Sequence, residues 1–352
     1  MKTEKNWEKS LSEQYLLHTK AHRRLAVFLC AALLVLAMAA SLTGNADIRI
    51  PRLLAVSFPG SFPDETPLSA LELSVFLNIR LCRVVMALIV GAGLAVCGVI
   101  MQAITGNSMA SPFTTGVSSA AGFGAAIGIV FFGNRPAFTI LFAFALSVFC
   151  TVVVYGISAK KNFTAQALIL LGIAVNYLFN AMNSCLQYFV TKEQLASIVY
   201  WTFGSLADSV WYQVVLCGIV FLAAMIFFMF SAKNYNILCS AGDESAADLG
   251  VNVKRLRTMS GIVVAFLAAV MISFTGVIGF VGLVAPHIAR FLTGSDHHYL
   301  LPMSAFTGAG LILLADTIGR NILNPVTIPV GVVVSLIGVP VFIFLILRKR
   351  EG

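Results

Sequence analysis

The sequence has 352 residues, of which 59% are apolar and 11% charged, and a formal net charge of +8. Soluble domains carry about 25% charged residues, so this composition excludes one and points to a polytopic membrane protein. The basic surplus collects at the ends of apolar runs, as membrane topology requires, which argues against nucleic-acid binding.

Residues 1–24 are charged and polar, and 25–43 form the first apolar run. The charged stretch is long and no small-residue cleavage site follows it, so 25–43 reads as a retained span rather than a signal peptide. Residues 44–79 are polar, hold Pro51, Pro59, Pro63 and Pro67, and predict an irregular loop with short helices. Further spans are predicted near 81–104, 112–132, 136–158, 166–190, 210–232, 258–277, 300–319 and 329–347, with 278–293 a short tenth. Glycines crowd the second and third spans (Gly91, Gly93 and Gly98, then Gly116, Gly122, Gly124 and Gly128) and predict close helix packing.

Ten spans with the N-terminus inside place sixteen of the 23 Lys and Arg on the inner side and seven on the outer. Nine spans would turn the basic tail Arg348-Lys349-Arg350 outward, against the positive-inside rule. The expectation is an all-α polytopic membrane protein with ten transmembrane helices and both termini cytoplasmic. A single membrane domain covers 25–347, with a cytoplasmic segment at 1–24 and a tail at 348–352.

In the fifth span, Asn176, Asn180, Asn183 and Gln187 recur at steps of four, three and four, which sets four amides on one helix face. Lipid would leave such groups unsatisfied, so the stripe must face protein or water. It can line a polar translocation pathway or make interhelical hydrogen bonds. Four amides exceed what one helix contact needs, which favours the pathway. The longest inner segment, 233–257, holds Gly242, Asp243, Glu244, Ser245, Ala246, Leu249 and Gly250. Ser240 can cap a short helix there and Gly250 can end it, giving either a docking element or a plain connector.

Near the outer ends of their spans, Asp316 and Arg320 stand four residues apart, and Arg80 and Arg83 lie on the same side. The acid and Arg320 can pair along the helix, and three arginines suit an acidic partner or simple interfacial anchoring. Gln102, Asn107, Ser108 and Ser111 occupy the inner turn between the second and third spans. The seven cysteines are scattered, without a CxxC pair, and His297-His298 has no supporting cluster, so no metal site is expected. No GxxxxGK[ST] loop is present, which excludes a P-loop ATPase in this chain. The sequence shows no pattern of an enzyme.

From about residue 70 to 350 the motifs fall in a familiar order. Ile79-Arg80-Leu81-Cys82-Arg83 resembles IRLPR with cysteine for proline, and Gly98-Val99-Ile100-Met101-Gln102 matches G-x-x-x-Q. Asn107-Ser108-Met109-Ala110-Ser111-Pro112 is similar to NPLAxP, and Gly242-Asp243-Glu244-Ser245-Ala246 with Leu249-Gly250-Val251 to GEExA…LGV. Gly279-Phe280-Val281-Gly282-Leu283-Val284 with Pro286-His287, then Ala315-Asp316 with Arg320, Ile328-Pro329-Val330-Gly331 and Gly338-Val339-Pro340-Val341-Phe342 complete the series. The chain thereby resembles the FecCD/BtuC-like permeases of ABC importers for iron–siderophores, haem and cobalamin.

The resemblance implies the type II ABC importer permease fold, ten helices per protomer, working as a dimer with a second copy or a close paralogue. It implies two P-loop ATPase subunits that use ATP and Mg and dock at the loop Gly242–Val251, while this chain binds no cofactor. It implies an extracytoplasmic substrate-binding protein received by Arg80, Arg83 and Arg320, and a pathway lined by the fifth helix. The gate region falls at Thr164, Ala165 and Gln166. The expected location is the bacterial cytoplasmic (inner) membrane, among lipid, and the expected solute is ferric siderophore, then haem, then cobalamin. The competing class is a secondary transporter driven by an ion gradient.

Overall fold

The computed structural model describes residues 2–44, 49–57, 68–133, 135–160, 165–323 and 326–348. Among them every regular element is helical: α1 (Lys2–Leu42), α2 (Ile50–Ser57), α3 (Ala70–Ser74), a π-helical segment (Val75–Leu81), α4 (Cys82–Thr105), a 3-10 turn (Pro112–Thr115), α5 (Val117–Phe132), α6 (Pro136–Lys160), α7 (Ala165–Phe189), α8 (Lys192–Thr202), α9 (Trp211–Phe230), α10 (Ala232–Asp248), α11 (Val253–Thr275), α12 (Val281–Thr293), α13 (His297–Asn321) and α14 (Val330–Arg348).

Seven of these are long and apolar enough to cross a membrane by length and composition, and Val117–Phe132, Val281–Thr293 and Val330–Phe344 are shorter apolar helices. The seven and the three stand where the ten apolar spans were expected. The third expected span, 112–132, is shorter than predicted. Its first residues turn as a 3-10 element that starts on Pro112 and ends at Gly116 (φ +84°), leaving 16 helical residues, about 24 Å.

Helix α4 is the centre of the bundle and packs against α13, α11, α12 and α9. Its glycines permit this. A Cβ on Gly91 would lie 2.3 Å from the Gly308 carbonyl oxygen of α13, and one on Gly98 would lie 1.9 Å from that of Gly282 on α12. Gly124 and Gly128 of α5 likewise meet the backbone of α6 at Phe142 and Thr139. In lipid, helices associate through such close contact, because apolar burial alone supplies little drive. Phe149 of α6, Leu170 and Tyr188 of α7 and Phe230 of α9 remain exposed, a surface suited to lipid or another subunit.

Two local predictions need correction. Ser240 does not cap a helix: α10 runs through it, and its hydroxyl donates back to the Ile237 carbonyl. The break falls at Gly242 (φ +76°), a conformation only glycine adopts cheaply, and the docking motif follows as a separate helical turn. That turn ends before Gly250 (φ +87°), as expected. The span expected from residue 300 starts earlier: His297 and His298 begin α13, whose N-cap Asp296 accepts from the His298 amide.

Candidate functional site

Asn176, Asn180 and Asn183 of α7 share an open cavity of about 750 Å³. Its other walls come from Phe113 of the 3-10 turn, Ser118, Ser119 and Gly122 of α5, Thr202 of α8 and Val277. Asn176 is fixed in place: its amide donates to the Phe113 carbonyl at 2.9 Å and its oxygen accepts from the Ser119 hydroxyl. Asn180 is exposed, and the Asn183 Oδ1 is buried without a hydrogen-bond partner among the described residues. A buried amide oxygen left unmatched is costly unless a passing polar group meets it. Gln187, one turn further, is half-buried and does not line this cavity. Sequence reasoning missed Ser118, Ser119 and Thr202, because hydroxyls in apolar helices usually bond their own backbone.

At the end of the bundle where α1 finishes, the three arginines do come together, but each is engaged inside the chain. Arg83 grips Asp316 through Nε and Nη2 at 2.9 and 2.8 Å to Oδ1. Arg320 Nε lies 3.1 Å from Oδ2 of the same carboxylate, and its Nη2 donates to the Ala40 carbonyl at 3.1 Å. Arg80 is buried and donates to the Leu42 carbonyl at 2.9 Å. Arg80 and Arg320 thus cap the orphan carbonyls and the negative dipole end of α1. The expected Asp316–Arg320 pair is present; Arg83 as the second holder of Asp316 lay 233 residues away in sequence.

The opposite end carries the segment Gly242–Val251, where docking was expected. Ala246 is buried against the bundle, whereas Glu244, Ser245 and Leu249 face outward, with Leu249 65% exposed. Asp243 is held by Arg257 of α11 through two hydrogen bonds of 2.6 and 2.8 Å, and Arg257 Nε donates to the Ile104 carbonyl at 2.7 Å. Arg290 of α12 donates to Gln102 of α4 at 3.0 Å. Asn107 and Ser111 are spent on the local turn, through the Met109 amide and the Thr114 hydroxyl pair. Of the expected gate region, Gln166 is exposed in the first turn of α7, Ala165 opens that helix, and Thr164 lies outside the described residues.

The model of the FecCD transport family matches residues 29–348. The chain is 41% identical over 289 residues to MJ0087 of Methanocaldococcus jannaschii, assigned as an ABC transporter permease protein, covering 79% of this chain and 82% of that one. It is 38% identical over 282 residues to the hemin transport system permease protein HmuU of Yersinia pestis, covering 79% and 84%. A solved structure of an ABC transporter assigned to the metal-chelate type, in an inward-facing conformation, superposes with a TM-score of 0.83 at 30% identity, over 93% of this chain and 99% of that one.

Proposed function

Since this chain belongs to the FecCD transport family of ABC importer permeases, we propose that it is the translocating subunit of an ATP-driven, binding-protein-dependent importer. Two copies meet in the membrane, each crossing it ten times with both termini in the cytoplasm. The solute passes at their interface without chemical change. The preferred solute is a ferric siderophore, with haem and cobalamin next. This chain supplies no ATPase site; two P-loop subunits hydrolyse ATP with Mg and dock on Gly242–Gly250, with exposed Leu249 as an apolar contact for them.

The observation that carries this reading is the cavity that three asparagines of one helix face share with Ser118 and Ser119. Neutral amides and hydroxyls offer weak, exchangeable hydrogen bonds to a bulky polar solute and no trap for it. Proton-driven transporters carry membrane-embedded acids without a fixed partner, whereas Asp316 is paired with both Arg83 and Arg320.

At the outer end, Arg80, Arg83 and Arg320 with Asp316 sum to a charge of +2. Their guanidiniums are committed to Asp316 and α1, so they would receive an acidic binding protein through their residual field rather than through forked pairs.

Replacing Asn176, Asn180 and Asn183 together by alanine should lower uptake of ferric hydroxamate, haemin or cyanocobalamin, whichever the wild type takes up, by about tenfold or more. Assembly, read by size-exclusion chromatography, should change little. Lost assembly with unchanged uptake per assembled complex would make the stripe a packing device and remove the pathway.

A further inference from the structure

Four links run unbroken between the docking motif and the amide cavity. Asp243, the first residue after the Gly242 break, is held by Arg257. Arg257 in turn holds the Ile104 carbonyl in the last turn of α4. That helix ends at Gly106 (φ +60°) and leads through a short turn into Pro112–Thr115. There the Phe113 carbonyl accepts from Asn176, and the Thr114 carbonyl oxygen would lie 2.1 Å from a Cβ on Gly172 of α7.

We propose that Arg257 is a positioning residue that transmits movement of the Asp243–Asp248 turn to the α4 C-terminus, and through the 112–115 turn to the asparagine cavity. The inference rests on the importer reading and names how the ATPase-docking end reaches the pathway. Three features support it. Arg257 is 6% exposed and planar, so one rigid group ties two elements with three short hydrogen bonds. Gly242 breaks α10 at φ +76°, and beyond its own chain neighbours nothing lies within 4 Å of where its Cβ would be, so the Asp243–Asp248 turn is set off from the preceding helix at a bend with no side chain to repack. The α4 end is also gripped from α12 by Arg290 on Gln102, so the turn pulls on a held point rather than on a loose strand. Simple locking of α10 onto α11 would need only Asp243; the bond from Nε, which also caps the C-terminal end of α4 at the Ile104 carbonyl, brings a third helix into the same group.

The test uses the full complex, with its ATPase and binding protein, in proteoliposomes loaded with ATP. Arg257→Lys keeps the charge but lacks the fork, and Arg257→Gln keeps a side-chain donor but lacks both the fork and the charge. Both should assemble at wild-type stoichiometry, with ATP hydrolysis within about twofold and solute uptake down by about fivefold or more, so that fewer solutes cross per ATP. Uptake, hydrolysis and assembled complex falling in proportion would overturn the proposal in favour of a folding role, and so would unchanged uptake. If Arg257→Lys does not assemble, Arg257→Gln alone decides between the same outcomes. A wild-type chain that binds no P-loop ATPase would instead overturn the importer reading, and that is seen before either variant is made.

Discussion

Asp316→Ala should destabilise the chain by about 3 kcal/mol, because it leaves two half-buried guanidiniums facing each other without their shared, fully buried carboxylate. Asp316 is 1% exposed, and the side chains of Arg83 and Arg320 are each 12% exposed, so water can replace the carboxylate only in part. The loss should reach α1 as well, since Arg320 also holds the Ala40 carbonyl. Asp316→Asn keeps an acceptor for one arginine and should cost less. Equilibrium unfolding in mild detergent measures both. A loss under about 1 kcal/mol for the alanine variant would mean that the pair behaves as an exposed one, and the buried clamp would be wrong. This result also bears on the proposed binding-protein surface: reversing Arg80, Arg83 and Arg320 together would break the fold before it reported on docking.

Gly98→Ala is the second large effect. Its new Cβ would stand 1.9 Å from the carbonyl oxygen and 2.6 Å from the carbonyl carbon of Gly282. Both partners are main chain, so relief requires α4 and α12 to part along their contact. Overpacking of this kind costs about 1–3 kcal/mol, and more where neighbouring glycine contacts such as Gly91–Gly308 must open with it. The matched control is Gly156→Ala in α6, where a Cβ meets nothing within 4 Å. That change adds helix propensity, about 0.8–1.0 kcal/mol, without a clash. Thermal stability of the two variants in detergent should therefore move in opposite directions. Equal shifts would show that α4 and α12 are not in backbone contact.

Much of the bundle was legible because lipid imposes one rule, long apolar helices, on every crossing. The asparagine stripe was legible for the same reason: amides at helical spacing in an apolar run must face something polar. Proline and glycine chemistry blurred the edges. Pro112 and Gly116 are apolar enough to extend a hydropathy window, yet they make a 3-10 turn that the window cannot see. The helix α8 was overlooked although Thr191 and Gln194 form a capping box readable in sequence. Arg83–Asp316 and Arg257–Ile104 were out of reach, because 233 and 153 residues separate partners whose meeting depends on the packing of α4. The segment Gly242–Val251 was singled out by its resemblance, while the break at Gly242 is a backbone angle that no spacing reveals.

Uptake into proteoliposomes tests the central claim most directly. The chain is purified with whatever ATPase accompanies it, and ferric hydroxamate, haemin and cyanocobalamin are offered with their binding protein. The importer reading predicts accumulation of one of them that requires internal ATP and proceeds with no ion gradient imposed. Accumulation driven by an imposed proton or sodium gradient, and indifferent to ATP, would contradict it.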